Sequence, residues 1–119
     1  MKHWIHTLDP LLWPLFGAGF FCAALLLPPW VAVMGIAYPA GWVADGAVAY
    51  ERVYGLGSSL PGRVLLGAAV ALPLWNGAYH LRHTAMDLLG QEWDVRVAPF
   101  LYAAAAAGSV MAIAAAARL

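Results

Sequence analysis

Residues 62–89 read GRVLLGAAVALPLWNGAYHLRHTAMDLL, and between Arg63 and Arg82 they carry no Asp, Glu, Lys or Arg. A membrane-spanning helix needs about 20 predominantly apolar residues. The stretch therefore spans if Arg63 snorkels at one end and the polar residues from Asn76 onward mark the other. It is longer than the hydrocarbon layer, so its last two turns should protrude and stop at Gly90, which serves as a C-cap. Outward from this segment, residues 10–44 and 97–117 are also uncharged, and each gap holds one more span. The sequence predicts an all-α membrane protein, a single domain over 1–119, with three transmembrane helices at about 11–36, 62–89 and 98–118 and an extramembrane connector at 39–61.

Composition agrees. Of 119 residues 64% are hydrophobic and 10% charged, against about a quarter charged in an ordinary soluble domain. Formal net charge is zero, which provides no basic field for nucleic acid. The single cysteine, Cys22, excludes an internal disulfide framework and any Cys-based zinc site.

Breakers set the limits. Helix I is expected to start near Pro10 to Trp13, since proline is tolerated in a first turn, and to run to about Ile36, ahead of the Tyr38-Pro39-Ala40-Gly41 turn signal. Pro28-Pro29 predicts a kink. The connector holds an amphipathic segment at about 47–56 and then the loop Gly57-Ser58-Ser59. Helix III follows Pro99, and its Ala104 and Gly108 form a small-xxx-small pair that invites close helix packing. The first apolar stretch is far longer than a 7–15-residue signal-peptide core, so it reads as a span. Orientation does not follow from charge, because Lys2, Arg82 and Arg96 on one side face Arg52, Arg63 and Arg118 on the other.

Polar chemistry collects at the end of helix II. At about 100° per residue, Asn76, Tyr79, His80, His83 and Asp87 share one arc of about 100°, with Arg82 on its flank. A helix entering water turns polar on every side, whereas Leu81, Ala85 and Leu88 keep the other faces apolar, so this stripe should face protein or a ligand cavity. Helix I runs antiparallel to helix II, which brings Trp13 near the depth of His80 and His83. An indole N–H, two imidazoles, a phenol and a guanidinium at one membrane face can hold a lipid-soluble ligand with polar carbonyls and exchange protons with it; quinones are of that kind. His80, an imidazole one turn inside the protruding end, is the preferred proton acceptor. His83 has Asp87 four residues later on the same face, an arrangement suited to fixing a ring or relaying a proton outward.

Haem and metal are not expected. His3 and His6 precede helix I, while His80 and His83 are three apart on one helix and cannot take opposite axial positions. Intramembrane metal sites draw ligands from several helices, which a site built on His80, His83 and Asp87 alone does not do.

Five segments in order carry a family resemblance: Trp13-Pro14-Leu15-Phe16-Gly17-Ala18-Gly19, Ala49-Tyr50-Glu51-Arg52-Val53, Gly62-Arg63-Val64, Leu72-Pro73-Leu74-Trp75, and His83 with Asp87-Leu88. Together they resemble the D subunit of bacterial quinol:fumarate reductase, from about residue 10 to the end. The resemblance implies half of a heterodimeric helical anchor, paired with the fumarate reductase C subunit in the bacterial cytoplasmic (inner) membrane. The iron–sulfur and flavoprotein subunits are then bound on the cytoplasmic face, the side of the N-terminus. It also implies an anaerobic respiratory role. Menaquinol is oxidised near that face, and electrons pass to FAD through iron–sulfur clusters held only by the partners. On this reading the chain is no enzyme by itself and lacks haem. Trp13 matches the family tryptophan beside the quinone. Where the family has a His-Arg pair this sequence has Tyr79 and His80, with an arginine displaced to Arg82, so the quinone-binding set is Trp13, Tyr79, His80, Arg82 and His83, supported by Asn76 and Asp87. Two other readings stand beside it: an anchor of a succinate:quinone oxidoreductase, and a small transporter or assembly protein whose stripe lines a solute path.

Overall fold

The structure, a computed structural model, describes residues 2–119, with side chains for Ile5 and for residues 7–119. The expectations that rest on the side chains of Lys2, His3 and His6 lie outside the described residues. The chain forms helix α1 (Lys2–Ala32), a π-turn (Val33–Ala37), helix α2 (Tyr50–Gly57), helix α3 (Leu60–Leu89), a 3-10 turn (Gln91–Trp93) and helix α4 (Asp94–Ala117). Three segments, Thr7–Ala37, Leu60–Leu89 and Gln91–Ala117, are long and apolar enough to cross a membrane.

Two helix starts differ from those expected, both for the same reason. α1 begins at Lys2 and passes through Pro10 and Pro14, each of which removes a helical hydrogen bond. Tertiary contacts hold it: Ile5 is 1% exposed in the core and Asp9 is bound to Arg82. α4 begins at Asp94, ahead of Pro99, because the Asp94 carboxylate is also bound to Arg82 and favours the positive end of the helix dipole. Further along α1 the helix continues through Pro28-Pro29, and its register changes later, where Tyr38 N–H donates to Val33 O at 2.8 Å across the π-turn.

α3 follows the expected limits closely. Ser59 caps it, its Oγ accepting from Gly62 N–H at 3.1 Å with Pro61 in the first turn. Gly90 ends it at φ 102°, a conformation that favours glycine, with its N–H on Met86 O.

The three long helices make a layer whose principal extents are 55 × 30 × 19 Å. α3 lies in the middle, antiparallel to both neighbours, while α1 and α4 meet near the Gly90 end, where Phe16 stacks on Tyr102. Small residues make the α3–α4 seam: Gly67, Ala71 and Ala78 are buried on one side and Ala98, Ala105 and Ala116 on the other. A neutral hydrogen bond crosses it, Trp75 Nε1–H donating to Ser109 Oγ at 3.0 Å, and the Ser109 hydroxyl donates in turn to Ala105 O. Gly108 makes the close helix contact expected of it, against α3 of its own chain, since a Cβ there would lie 2.8 Å from Leu74 Cδ1. Ala104, the other half of that pair, is exposed.

On the other side of α3, a Cβ at Gly19 would overlap the Leu72 carbonyl and come within 2.9 Å of Asn76 Cβ. Backbone cannot yield as a flexible side chain does. Gly19→Ala is therefore expected to push α1 off α3 at a cost of about 1–3 kcal/mol, read as a lower unfolding temperature in detergent. Gly77→Ala, with nothing within 4 Å of its new Cβ, should leave that temperature unchanged.

Candidate functional site

At the Gly90 end of the layer the core is densest, with Ile5, Phe16, Ala78, Ala98, Tyr102 and Ala105 packed together. Beside it a cleft of about 290 Å³ opens between α1 and α3, lined by Trp13, Phe16, Gly17, Phe20, Asn76, Tyr79 and His80. α1 supplies the aromatic wall, and α3 supplies the polar one. The larger groove, at the opposite end, has few polar groups on its walls, so the smaller cleft is where the site residues gather.

Four polar groups ring this cleft, and among the described residues none of them makes a side-chain hydrogen bond: the Trp13 indole N–H, the Asn76 amide, the Tyr79 hydroxyl and the His80 ring. Trp13 is 68% exposed, and His80 is exposed as well. In a segment that crosses a membrane, polar groups without partners are costly unless a ligand or another chain supplies the missing bonds.

The ring of Tyr79 is fixed on two sides. Phe16 packs against it at 4.6 Å between centroids and His83 at 4.2 Å, while His80 meets its edge at 5.7 Å. His83 Nδ1 lies 2.9 Å from Tyr79 O. A carbonyl only accepts, so Nδ1 carries a proton, and Nε2 is left free of this contact. This contact orients His83. Asp87, expected to do so, is exposed and makes no ion pair with it, and among the described residues no three His, Cys, Asp or Glu groups converge on a point.

Arg82 does not join the cleft. It is 2% exposed and faces the seam, where Nε and Nη2 donate to the two oxygens of Asp94 at 2.6 and 2.9 Å. Nη1 donates to Asp9 at 2.6 Å and to the Tyr102 hydroxyl at 2.8 Å. One guanidinium thus ties α1, α3 and α4 together through two carboxylates. The helical wheel had Arg82 on the flank of the stripe, which is the signal that it points elsewhere. Nothing in the local sequence of Asp9, Asp94 and Tyr102 shows what they face.

Three spans in a layer one to two helices thick, with a half-open cleft of unpaired polar groups, define a multi-pass membrane protein. The family comparison agrees: the model for the fumarate reductase D subunit matches residues 5–117. Among relatives, the fumarate reductase D subunit of Photobacterium profundum is 40% identical over 80 residues, 67% of each chain. That of Aliivibrio fischeri is 32% identical over 106 residues, 88% of this chain and 87% of the relative. That of Vibrio vulnificus is 36% identical over 80 residues, spanning 67% of this chain and 64% of the relative. The chain belongs to the family of fumarate reductase D subunits.

Proposed function

We propose that this chain is half of the membrane anchor of a quinol:fumarate reductase and that Trp13, Asn76, Tyr79 and His80 form its share of a menaquinol site. The observation that carries this reading is the set of four unpaired polar groups around one aromatic-walled cleft. Their chemistry fits a quinone ring, which offers two oxygens for hydrogen bonds and a flat apolar face for stacking. A cleft of about 290 Å³ lies at the small end of ligand sites, about 300–1,000 Å³. A second anchor chain, the fumarate reductase C subunit, completes it.

When bound, menaquinol supplies two electrons and two protons per molecule, and fumarate takes up two of each to become succinate. The residues of this chain hold the ring and move protons. Trp13 donates its indole N–H to a ring oxygen, and Asn76 and Tyr79 each offer a donor across the cleft. His80 accepts a proton as a hydroxyl loses it, and His83, with Nε2 free of the Tyr79 carbonyl, passes a proton outward. Arg82, bound within the seam, is left out of this set. Electrons leave through iron–sulfur clusters to FAD, all held by the iron–sulfur and flavoprotein subunits, and this chain is a non-catalytic anchor without haem.

The chain sits in the bacterial cytoplasmic membrane with its N-terminus and the Gly90 turn in the cytoplasm, where the soluble subunits dock. One experiment tests location and partners together. Reporter fusions after Leu119 and within residues 57–60 should read as periplasmic and one near Gln91 as cytoplasmic, and a tagged chain extracted in mild detergent should bring down flavin- and iron–sulfur-containing polypeptides. The opposite topology would detach the cleft from the iron–sulfur side and defeat the quinone reading. Purification without those polypeptides would favour a transporter or assembly role.

A further inference from the structure

At the other end of the layer α1 and α4 separate over α3 and leave a groove of about 610 Å³. Val64, Ala68 and Leu72 form its floor, and Leu15 and Ile113 stand on its sides. Arg63 lies at the outer end, and the Trp75–Ser109 hydrogen bond closes the inner one. From Arg63 to Trp75 the helix rises about 18 Å at 1.5 Å per residue, close to one leaflet, about half of the ~30 Å hydrocarbon thickness. The groove thus runs from a membrane face to the midplane, as an acyl chain does.

Its outer end is charged. Arg63 Nε donates to Ser58 O at 2.9 Å and Nη1 reaches Ala117 O at 3.4 Å, so the guanidinium is held by carbonyls. Among the described residues it has no carboxylate partner, since both ion pairs belong to Arg82. Arg118, next in sequence to the carbonyl that Arg63 touches, is exposed near the same rim and adds a second positive charge. An apolar helix seated in the groove would leave that charge unanswered, whereas a phosphodiester matches a guanidinium in charge and in planar geometry.

We propose that this groove binds one anionic phospholipid, its phosphate on Arg63 and one acyl chain along Val64, Ala68 and Leu72. The inference rests on the spanning helices and the groove, and stands whether or not the cleft at the far end takes quinone.

The test uses the intact membrane complex that contains this chain, extracted in mild detergent, titrated with phosphatidylglycerol or phosphatidylcholine and read by native mass spectrometry. The expected result is one phosphatidylglycerol retained per copy, preferred about fivefold or more over phosphatidylcholine, the scale of one added cation at a lipid surface. Arg63→Gln should abolish the preference and Arg63→Lys keep part of it. Ala68→Phe, filling the floor, should lower retention of both lipids. Equal retention of the two lipids by the unaltered complex would overturn the proposal, and that measurement decides the matter even if a variant fails to assemble. So would a cross-link from Ala68→Cys to a partner polypeptide in native membranes, which would assign the groove to protein.

Discussion

Arg82→Met should leave little of this chain in the membrane. The substitution removes four hydrogen bonds at once and leaves the carboxylates of Asp9 and Asp94 without their shared cation. Breaking a buried ion pair by removing one partner costs about 3–5 kcal/mol, a large part of the 5–15 kcal/mol by which typical domains are stable. Immunoblots of membranes should show the chain depleted, and any residual complex should unfold at a lower temperature. Arg82→Lys should recover only part of the loss, because an ammonium cannot engage both Asp94 oxygens as the planar fork does. Among the partners, Asp94→Asn should cost more than Asp9→Asn, since the Asp94 side chain is 12% exposed and that of Asp9 29%.

A second variant separates pairing from ligand binding. With Arg82→Met and Asp94→Leu together, the more buried of the two unpaired carboxylates is gone and an apolar contact takes its place, a replacement that is often neutral or stabilising. Accumulation should return toward normal, and quinol oxidation with it. A double variant that assembles yet fails to oxidise menaquinol would put Arg82 back in the quinone site.

The same residues show what a sequence can and cannot display. Three spans are legible because a charge-free run of the right length has few other uses, and the end of α3 is legible because Gly90 provides a backbone conformation that other residues rarely take. The stripe is legible too. Asn76, Tyr79 and His80 share an arc on one helix, and an antiparallel neighbour brings Trp13 to the same depth. Hidden from the sequence is which face of α3 each neighbour covers. The partner of Asp9 and Asp94 emerges only when α1 and α4 are laid on α3, and the same two contacts explain why both helices start earlier than Pro10 and Pro99 suggest. His83 has two candidate anchors at helical spacing, Tyr79 O one turn before and Asp87 one turn after. Only the ring orientation in the structure chooses between them.

Trp13→Leu and His80→Leu should each lower menaquinol oxidation at least about tenfold, the scale of a lost general base or positioning contact. Both residues face the cleft with polar groups that bond to nothing else among the described residues, so their loss should spare the core, and the amount of assembled complex should stay close to normal. Fumarate reduction driven by an artificial soluble electron donor should survive in the same membranes, because that route bypasses the anchor. The two substitutions should also differ. Trp13→Leu removes a donor and a stacking surface and should act mainly on KM, whereas His80→Leu removes a proton acceptor and should act mainly on kcat. His80→Gln keeps hydrogen bonding but cannot take up a proton, so recovery with glutamine would reassign His80 from accepting a proton to holding the ring. Loss of both quinol-driven and donor-driven activity would mean failed assembly. Retention of both would remove Trp13 and His80 from the site and leave Tyr79, with Asn76 beside it, as the group to test.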